Sequence, residues 1–139
     1  MIEVREYIDA QGRNYYRKWL RRNNMPKPFT RDFRETILER LQDKEFRRAF
    51  LGEAIRDMLE GDIVTAKAVL REYINGTVGF IAAGKALDCS PKSLMRMLSA
   101  IGNPQARNLL GLIAWLQKAD GITFEVRAVK SRAAKRKAA

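Results

Sequence analysis

Lys92, Ser93 and Arg96 are the residues whose types and spacing could carry out recognition chemistry. They follow Ser90-Pro91, where serine is a favoured helix cap and proline takes a first helical position whose N–H would have no partner anyway. Leu94, Met97 and Leu98 recur at helical spacing. The predicted helix therefore turns an apolar back to a core and leaves Lys92, Ser93, Met95 and Arg96 on a polar, basic front. Such a front fits the major groove of double-stranded DNA, where arginine can donate two hydrogen bonds to guanine. An ordinary helical hairpin shares the apolar periodicity. What favours DNA is the Ser90-Pro91 start and the lack of acids between Asp88 and the end of the helix.

The elements that must hold this front are legible around it. Thr77–Leu98, TVGFIAAGKALDCSPKSLMRML, predicts a helix-turn-helix: Thr77 as N-cap of a first helix, Phe80, Ala83, Gly84 and Leu87 facing inward, and Asp88-Cys89 as the turn. Gly102-Asn103-Pro104 repeats the start signal, with Asn103 as cap and Pro104 at the first position. Leu109, Leu112, Ile113 and Leu116 of the helix that follows can pack against the Ser90–Leu98 helix. Thr77, Lys85, Asn103 and Arg107 are placed near phosphates, which set register rather than sequence preference. The full expected DNA-contacting set is Thr77, Lys85, Ser90, Lys92, Ser93, Arg96, Asn103 and Arg107.

Other chemistries are excluded by what is missing. Without histidine, neither a Ser-His-Asp nor a Cys-His nucleophile can be assembled. A single cysteine, Cys89, makes neither an intrachain disulfide nor a Cys-rich zinc site, and it is read as a small packing residue of the turn. Glu35, Glu39, Asp57 and Glu60 are expected on outward helix faces or in first turns, not as an acid/base or metal cluster. No phosphate-cradling glycine loop is present. The expectation is a non-enzyme with no catalytic residue, metal or cofactor. No run of 18 apolar residues and no signal-peptide core are found, so a cytoplasmic protein without a membrane partner is expected.

Along the rest of the chain, Ile2–Arg5 alternates like a short strand. Tyr16, Trp19 and Leu20 then share a helix face within a basic aromatic run, which could stack on single-stranded nucleic acid or simply dock on the body. Met25-Pro26-Lys27-Pro28 breaks the pattern, so residues 1–24 form an extension, 25–29 a linker and 30–129 the main domain. From Thr30 the chain is predicted to be almost wholly helical. One helix carries Phe33, Ile37, Leu38 and Leu41. A longer one from Asp43 carries Phe46, Ala49, Phe50, Ala54, Ile55, Met58 and Leu59 and ends at Gly61. A third, from Asp62, carries Ile63, Ala66, Leu70, Tyr73 and Ile74. After the Asp120-Gly121 turn, Ile122–Val129 alternates as a C-terminal β-strand, whose partner would be residues 2–5 or the same strand of a second subunit. Residues 130–139 are expected to be a mobile basic tail, either a phosphate-contacting arm or a solubilising end.

The 139 residues are 46% hydrophobic, enough for a core, and carry a net charge of +11, which points to a polyanionic partner. Residues 1–31 and 130–139 each carry +5, whereas residues 32–76 are net −2 and residues 77–118 net +4. The two ends therefore supply most of the excess, and within the core the basic bias falls on the predicted helix-turn-helix half.

Thr30-Arg31-Asp32-Phe33-Arg34-Glu35-Thr36, Arg40-Leu41, Asp43-Lys44-Glu45-Phe46-Arg47, Ser93-Leu94-Met95-Arg96-Met97-Leu98 and Gly102-Asn103-Pro104 together resemble the HigA-like addiction-module antidote proteins, over roughly 100 of the 139 residues. The resemblance implies a mainly α, Cro/repressor-like helix-turn-helix bundle that acts as antitoxin and autorepressor of a toxin–antitoxin operon. It also implies a homodimer on double-stranded operator DNA and a RelE-type toxin as a further partner. Two residues depart from the family pattern: Gly84 stands where alanine is usual, and Asp88 replaces the usual turn glycine. Met1–Tyr7, with Gly12-Arg13 and Trp19-Leu20, resembles the start of a RelE-type killer protein, as if a toxin's beginning had been joined to an antidote. The competing reading is an interaction module that neutralises a toxin through the acidic segment 32–76, with little or no DNA binding.

Overall fold

The computed structural model describes residues 31–131, and the strand expected at residues 2–5, the aromatic run, the 25–29 linker and most of the basic tail lie outside them. Among the described residues the chain is mainly helical. In order it forms α1 (Arg31–Arg40), α2 (Lys44–Leu59), α3 (Ile63–Gly76), α4 (Gly79–Ala86), α5 (Pro91–Met97) and α6 (Ala106–Asp120).

Short aspartates start α2 and α3. Asp43 accepts a hydrogen bond from the Glu45 amide at 3.0 Å at the head of α2. Asp62 accepts from both the amide and the hydroxyl of Thr65, at 3.1 and 2.8 Å, at the head of α3. Gly61 between them has φ +83, a left-handed residue that lets the chain reverse. α3 is the centre of the bundle, packed against α1, α2 and α4, and α4 in turn packs on α5. The buried stripe of α3, Val69, Leu70, Tyr73 and Ile74, joins Ile37 and Leu41 of α1, Phe50, Leu51 and Ala54 of α2, and Leu109, Leu112, Ile113 and Leu116 of α6 in one core. At the end of α3, a Cβ on Gly76 would press on the Leu41 and Leu38 side chains, so glycine lets α1 and α3 close together without displacing them.

Ion pairs tie the acidic half together. The Arg47 guanidinium donates to Asp120 Oδ1 at 2.9 Å and to the Leu41 carbonyl at 3.1 Å, linking α2 both to the end of α6 and to the end of α1. Arg48 pairs with the other Asp120 oxygen at 3.5 Å, and Arg34 pairs with the buried Glu72 at 3.2 Å across α1 and α3.

Several expectations from the sequence are corrected. Asp57 is 1% exposed, not outward, because it falls seven residues after Phe50 and three after Ala54, on the stripe that α2 buries. Leu59 and Ile63, expected in the core, are exposed, and Leu51 fills the core instead. Asn103-Pro104 does not start a helix: α6 begins at Ala106 behind Gln105, which makes no side-chain cap bond. Residues 122–131 run without helix, turn or ladder, so the expected C-terminal strand is not formed among the described residues. A strand exists only when paired, and residues 2–5, one of its two expected partners, lie outside the described residues.

Candidate nucleic-acid interface

α4 and α5 meet through Leu87–Ser90. The Cys89 amide returns to the Gly84 carbonyl at 2.9 Å, and Asp88 takes a left-handed φ of 53. Asparagine and aspartate tolerate that region better than most side chains. Gly84 is explained by the same contact. A Cβ there would lie 2.7 Å from the Cys89 carbonyl oxygen and 3.3 Å from the Pro91 nitrogen, so glycine is what lets the turn lie flat on α4.

Ser90 caps α5 as its position predicts. Its Oγ accepts from the Ser93 amide at 3.0 Å, its hydroxyl donates to Ser93 Oγ at 2.9 Å, and Pro91 occupies the first turn. Leu94 and Leu98 are buried and Met97 is half-buried against the core, while Lys92, Ser93, Met95 and Arg96 are exposed. Phe80, Ala83 and Gly84 anchor α4 in the same way and leave Lys85 exposed.

The far end of α5 is held by a residue that sequence reasoning missed. Lys67, on α3 and 3% exposed, points its ammonium at the connection after α5. Its Nζ donates to the Ser99 carbonyl at 2.9 Å and also to the carbonyls of Ala100 and Gly102, which uses its three protons. Burial, reinforced by Arg71, lowers its pKa from the usual lysine value. Ser99 Oγ donates to the Arg96 carbonyl at 2.7 Å, and a Cβ on Gly102 would strike the carbonyls of Arg96 and Met97. The signal that could have revealed Lys67 is its spacing: it directly follows Ala66 and lies three residues before Leu70, inside the buried stretch of α3.

The expected set is only partly united. Ser93, Arg96, Asn103 and Arg107 line one groove of about 830 Å³ between α5, the connection after it and the start of α6. Lys85, Ser90 and Lys92 are exposed on the same helix pair. Thr77 stands apart. It is the C-cap of α3, not the N-cap of α4, and its hydroxyl donates to the Tyr73 carbonyl at 2.6 Å. It lines a separate cavity of about 270 Å³ beside Arg47, Tyr73 and Asp120. In that cavity, burial together with the Asp120 charge pushes the Tyr73 phenol up to about 12.

Among the described residues, the side chains of Lys85, Lys92, Arg96 and Arg107 enter no ion pair or hydrogen bond. No group of three or more His, Cys, Asp or Glu side chains able to hold a metal occurs among them, and no helix is long and apolar enough to cross a membrane. Compared with protein-family models, curated proteins and solved structures, the chain matches none.

Proposed function

We propose that this chain is a sequence-specific regulator of transcription that reads double-stranded DNA with α4 and α5 as a helix-turn-helix. The observation that carries the reading is a short helix, capped at one end by Ser90 and held at the other by Lys67, whose exposed front carries Lys92, Ser93, Met95 and Arg96 and no acid. Preorganised donors on a rigid support are what base readout needs. Arg96 contacts guanine, Lys92 and Ser93 read adjacent edges, and Lys85, Asn103 and Arg107 engage phosphates on either side. Thr77, whose hydroxyl proton is engaged by Tyr73, is left out of the phosphate set. The resemblance to HigA-like antidotes extends the proposal to the antitoxin and autorepressor of a toxin–antitoxin operon, acting in the cytoplasm as a homodimer on a palindromic site. Two recognition helices about 34 Å apart would match one turn of DNA.

The test is a gel shift of the full chain on its own upstream DNA and on random DNA, repeated across salt concentrations. Arg96→Ala is expected to cost about 1–3 kcal/mol on the upstream site and little on random DNA, whereas Lys85→Ala weakens both and flattens the salt dependence. Equal losses on the two DNAs for Arg96→Ala would refute base readout.

A second reading rests on a different patch. At the corner between α2 and α3, exposed Leu59, Ile63 and Val64 sit beside the acids Glu60 and Asp62. An apolar surface with an acidic rim fits a basic protein such as a RelE-type toxin. Co-purification with a neighbouring gene's product in the absence of DNA would support this reading.

A further inference from the structure

One apolar patch of the bundle lies in acidic surroundings. Leu59 is 67% exposed at the end of α2, and Ile63 and Val64 are 38% and 40% exposed at the start of α3. A cluster of this kind marks a contact surface, because it gives folding little while it faces water. Residues 53–62, which lead into the patch, carry four acids against the single cation Arg56, and that guanidinium is paired with Glu53 at 3.1 Å. Ile81, Met95, Ile101 and Leu110 are exposed too, but they belong to residues 77–118, which are net +4. The occupant that suits the α2–α3 corner is therefore both apolar and basic.

The chain carries such a segment itself. Residues 13–22, RNYYRKWLRR, hold five basic residues and no acid, and Tyr16, Trp19 and Leu20 recur at helical spacing. The way the chain enters the bundle brings this segment within reach of the corner. Arg34 pairs with Glu72 at 3.2 Å, and the Gln42 amide donates to the Gly76 carbonyl at 3.3 Å, so α1 runs beside α3 in the same direction with their ends level. At roughly 1.5 Å per residue, the start of α1 lies about 15 Å back from that end and the start of α3 about 20 Å back. The beginning of α1 thus points at the corner. Residues 23–30, between the basic segment and α1, span up to about 26 Å when extended, which exceeds the width of one intervening helix, about 10 Å. Tethering then does the rest. A segment held this close is presented at about 1 mM, so a contact with an intrinsic Kd of about 0.1 mM is about 90% occupied.

We infer that residues 13–22 dock on the corner of their own chain, with Tyr16, Trp19 and Leu20 on Leu59, Ile63 and Val64 and the basic side chains towards the acids of residues 53–62. While docked, the segment masks the corner, and a basic protein that takes this surface has to displace it first. The inference does not rest on the DNA reading, and its test contains no DNA, so the two fail separately.

The experiment follows Trp19 in the full chain carrying Trp115→Phe, which leaves one tryptophan. Acrylamide is expected to quench it about fivefold less than it quenches a synthetic peptide of residues 1–24, at every protein concentration, with emission to the blue of the peptide's. Leu59→Arg combined with Ile63→Arg should return both readings to those of the peptide. Glu60→Lys, which leaves the apolar patch intact, should raise the quenching part of the way. Leu110→Arg, a comparably exposed site in the basic half, should change nothing. Urea unfolding followed by circular dichroism checks that each variant is folded. Peptide-like quenching in the parent chain, protection indifferent to the corner substitutions, or protection equally sensitive to Leu110→Arg would each overturn the inference. So would protection restored to the Leu59→Arg, Ile63→Arg chain by an excess of chains lacking both tryptophans, because the segment would then be docking on a second copy.

Discussion

The two halves of the bundle handle their arginines and lysines in opposite ways. In α1–α3, Arg34, Arg47 and Arg48 pair with carboxylates of other helices, and Arg56 pairs with Glu53 one turn back on α2. Across α4, α5 and the start of α6, Lys85, Lys92, Arg96 and Arg107 stand exposed without ion-pair partners among the described residues, and the one acid of residues 77–118 is Asp88. A paired cation is already neutralised, and recruiting it for a ligand means breaking a contact. An unpaired exposed cation has only water to lose. Net charge alone would miss this difference, because residues 32–76 carry more basic residues than residues 77–118 do.

Lys67 is the exception that connects the halves, because it lies in the acidic half and its partners are carbonyls at the foot of α5. Replacing it by Met should therefore have the largest effect. The three carbonyls lose their donor, and about 3 kcal/mol of stability should disappear in urea unfolding, with operator binding weakened further at temperatures where the chain remains folded. Loss of stability without any change in DNA affinity would show that the Lys67 contact does not position α5.

The acidic half carries the next prediction. The Tyr73 phenol is held up to about 12, so above its ordinary value near 10 the unfolded chain gives up this proton while the folded chain keeps it. The folded state then binds more protons, and stability must fall as pH rises from about 10 towards 12, by something on the order of 2 kcal/mol. Tyr73→Phe should remove that fall from a series of denaturation curves. Lys67 acts in the opposite sense. Its lowered pKa means the unfolded chain holds the extra proton, so its contribution rises with pH until the ordinary lysine value is passed.

Two smaller effects address the turn that carries the basic half. Gly84→Ala gains helix propensity but drives a Cβ against the Cys89 carbonyl, and the net loss should be about 1–2 kcal/mol by chemical denaturation. Asp88→Gly relieves the left-handed φ and should stabilise the chain by a few tenths to about 1 kcal/mol, with DNA affinity unchanged. Destabilisation by Asp88→Gly would mean that the aspartate side chain makes a contact of its own.

Much of this was legible because it is local. Ser90-Pro91, Asp43 and Asp62 act within three residues of themselves, and the stripe of Leu94 and Leu98 follows from helical period alone. The misreadings all involve a second element. Thr77 has the composition of a helix start, but its hydroxyl bonds the Tyr73 carbonyl at the end of α3, and the position before α4 falls to Val78, which makes no side-chain cap bond. Asn103-Pro104 has the composition of a cap, but Lys67 draws the carbonyls of Ser99, Ala100 and Gly102 inward and the chain reaches α6 only at Ala106. Asp57 has the chemistry of a surface residue at a position whose period is that of the core.

By itself the sequence determined the helical class, the capped start of α5 and which of its faces is basic, because propensity, capping and amphipathic period depend on residues a turn apart. The tertiary structure decided which cations remain free and what holds the far end of α5. Those outcomes depend on which side chains and carbonyls meet across thirty or more residues of chain, as Lys67 meets Ser99, and no local pattern records such a meeting.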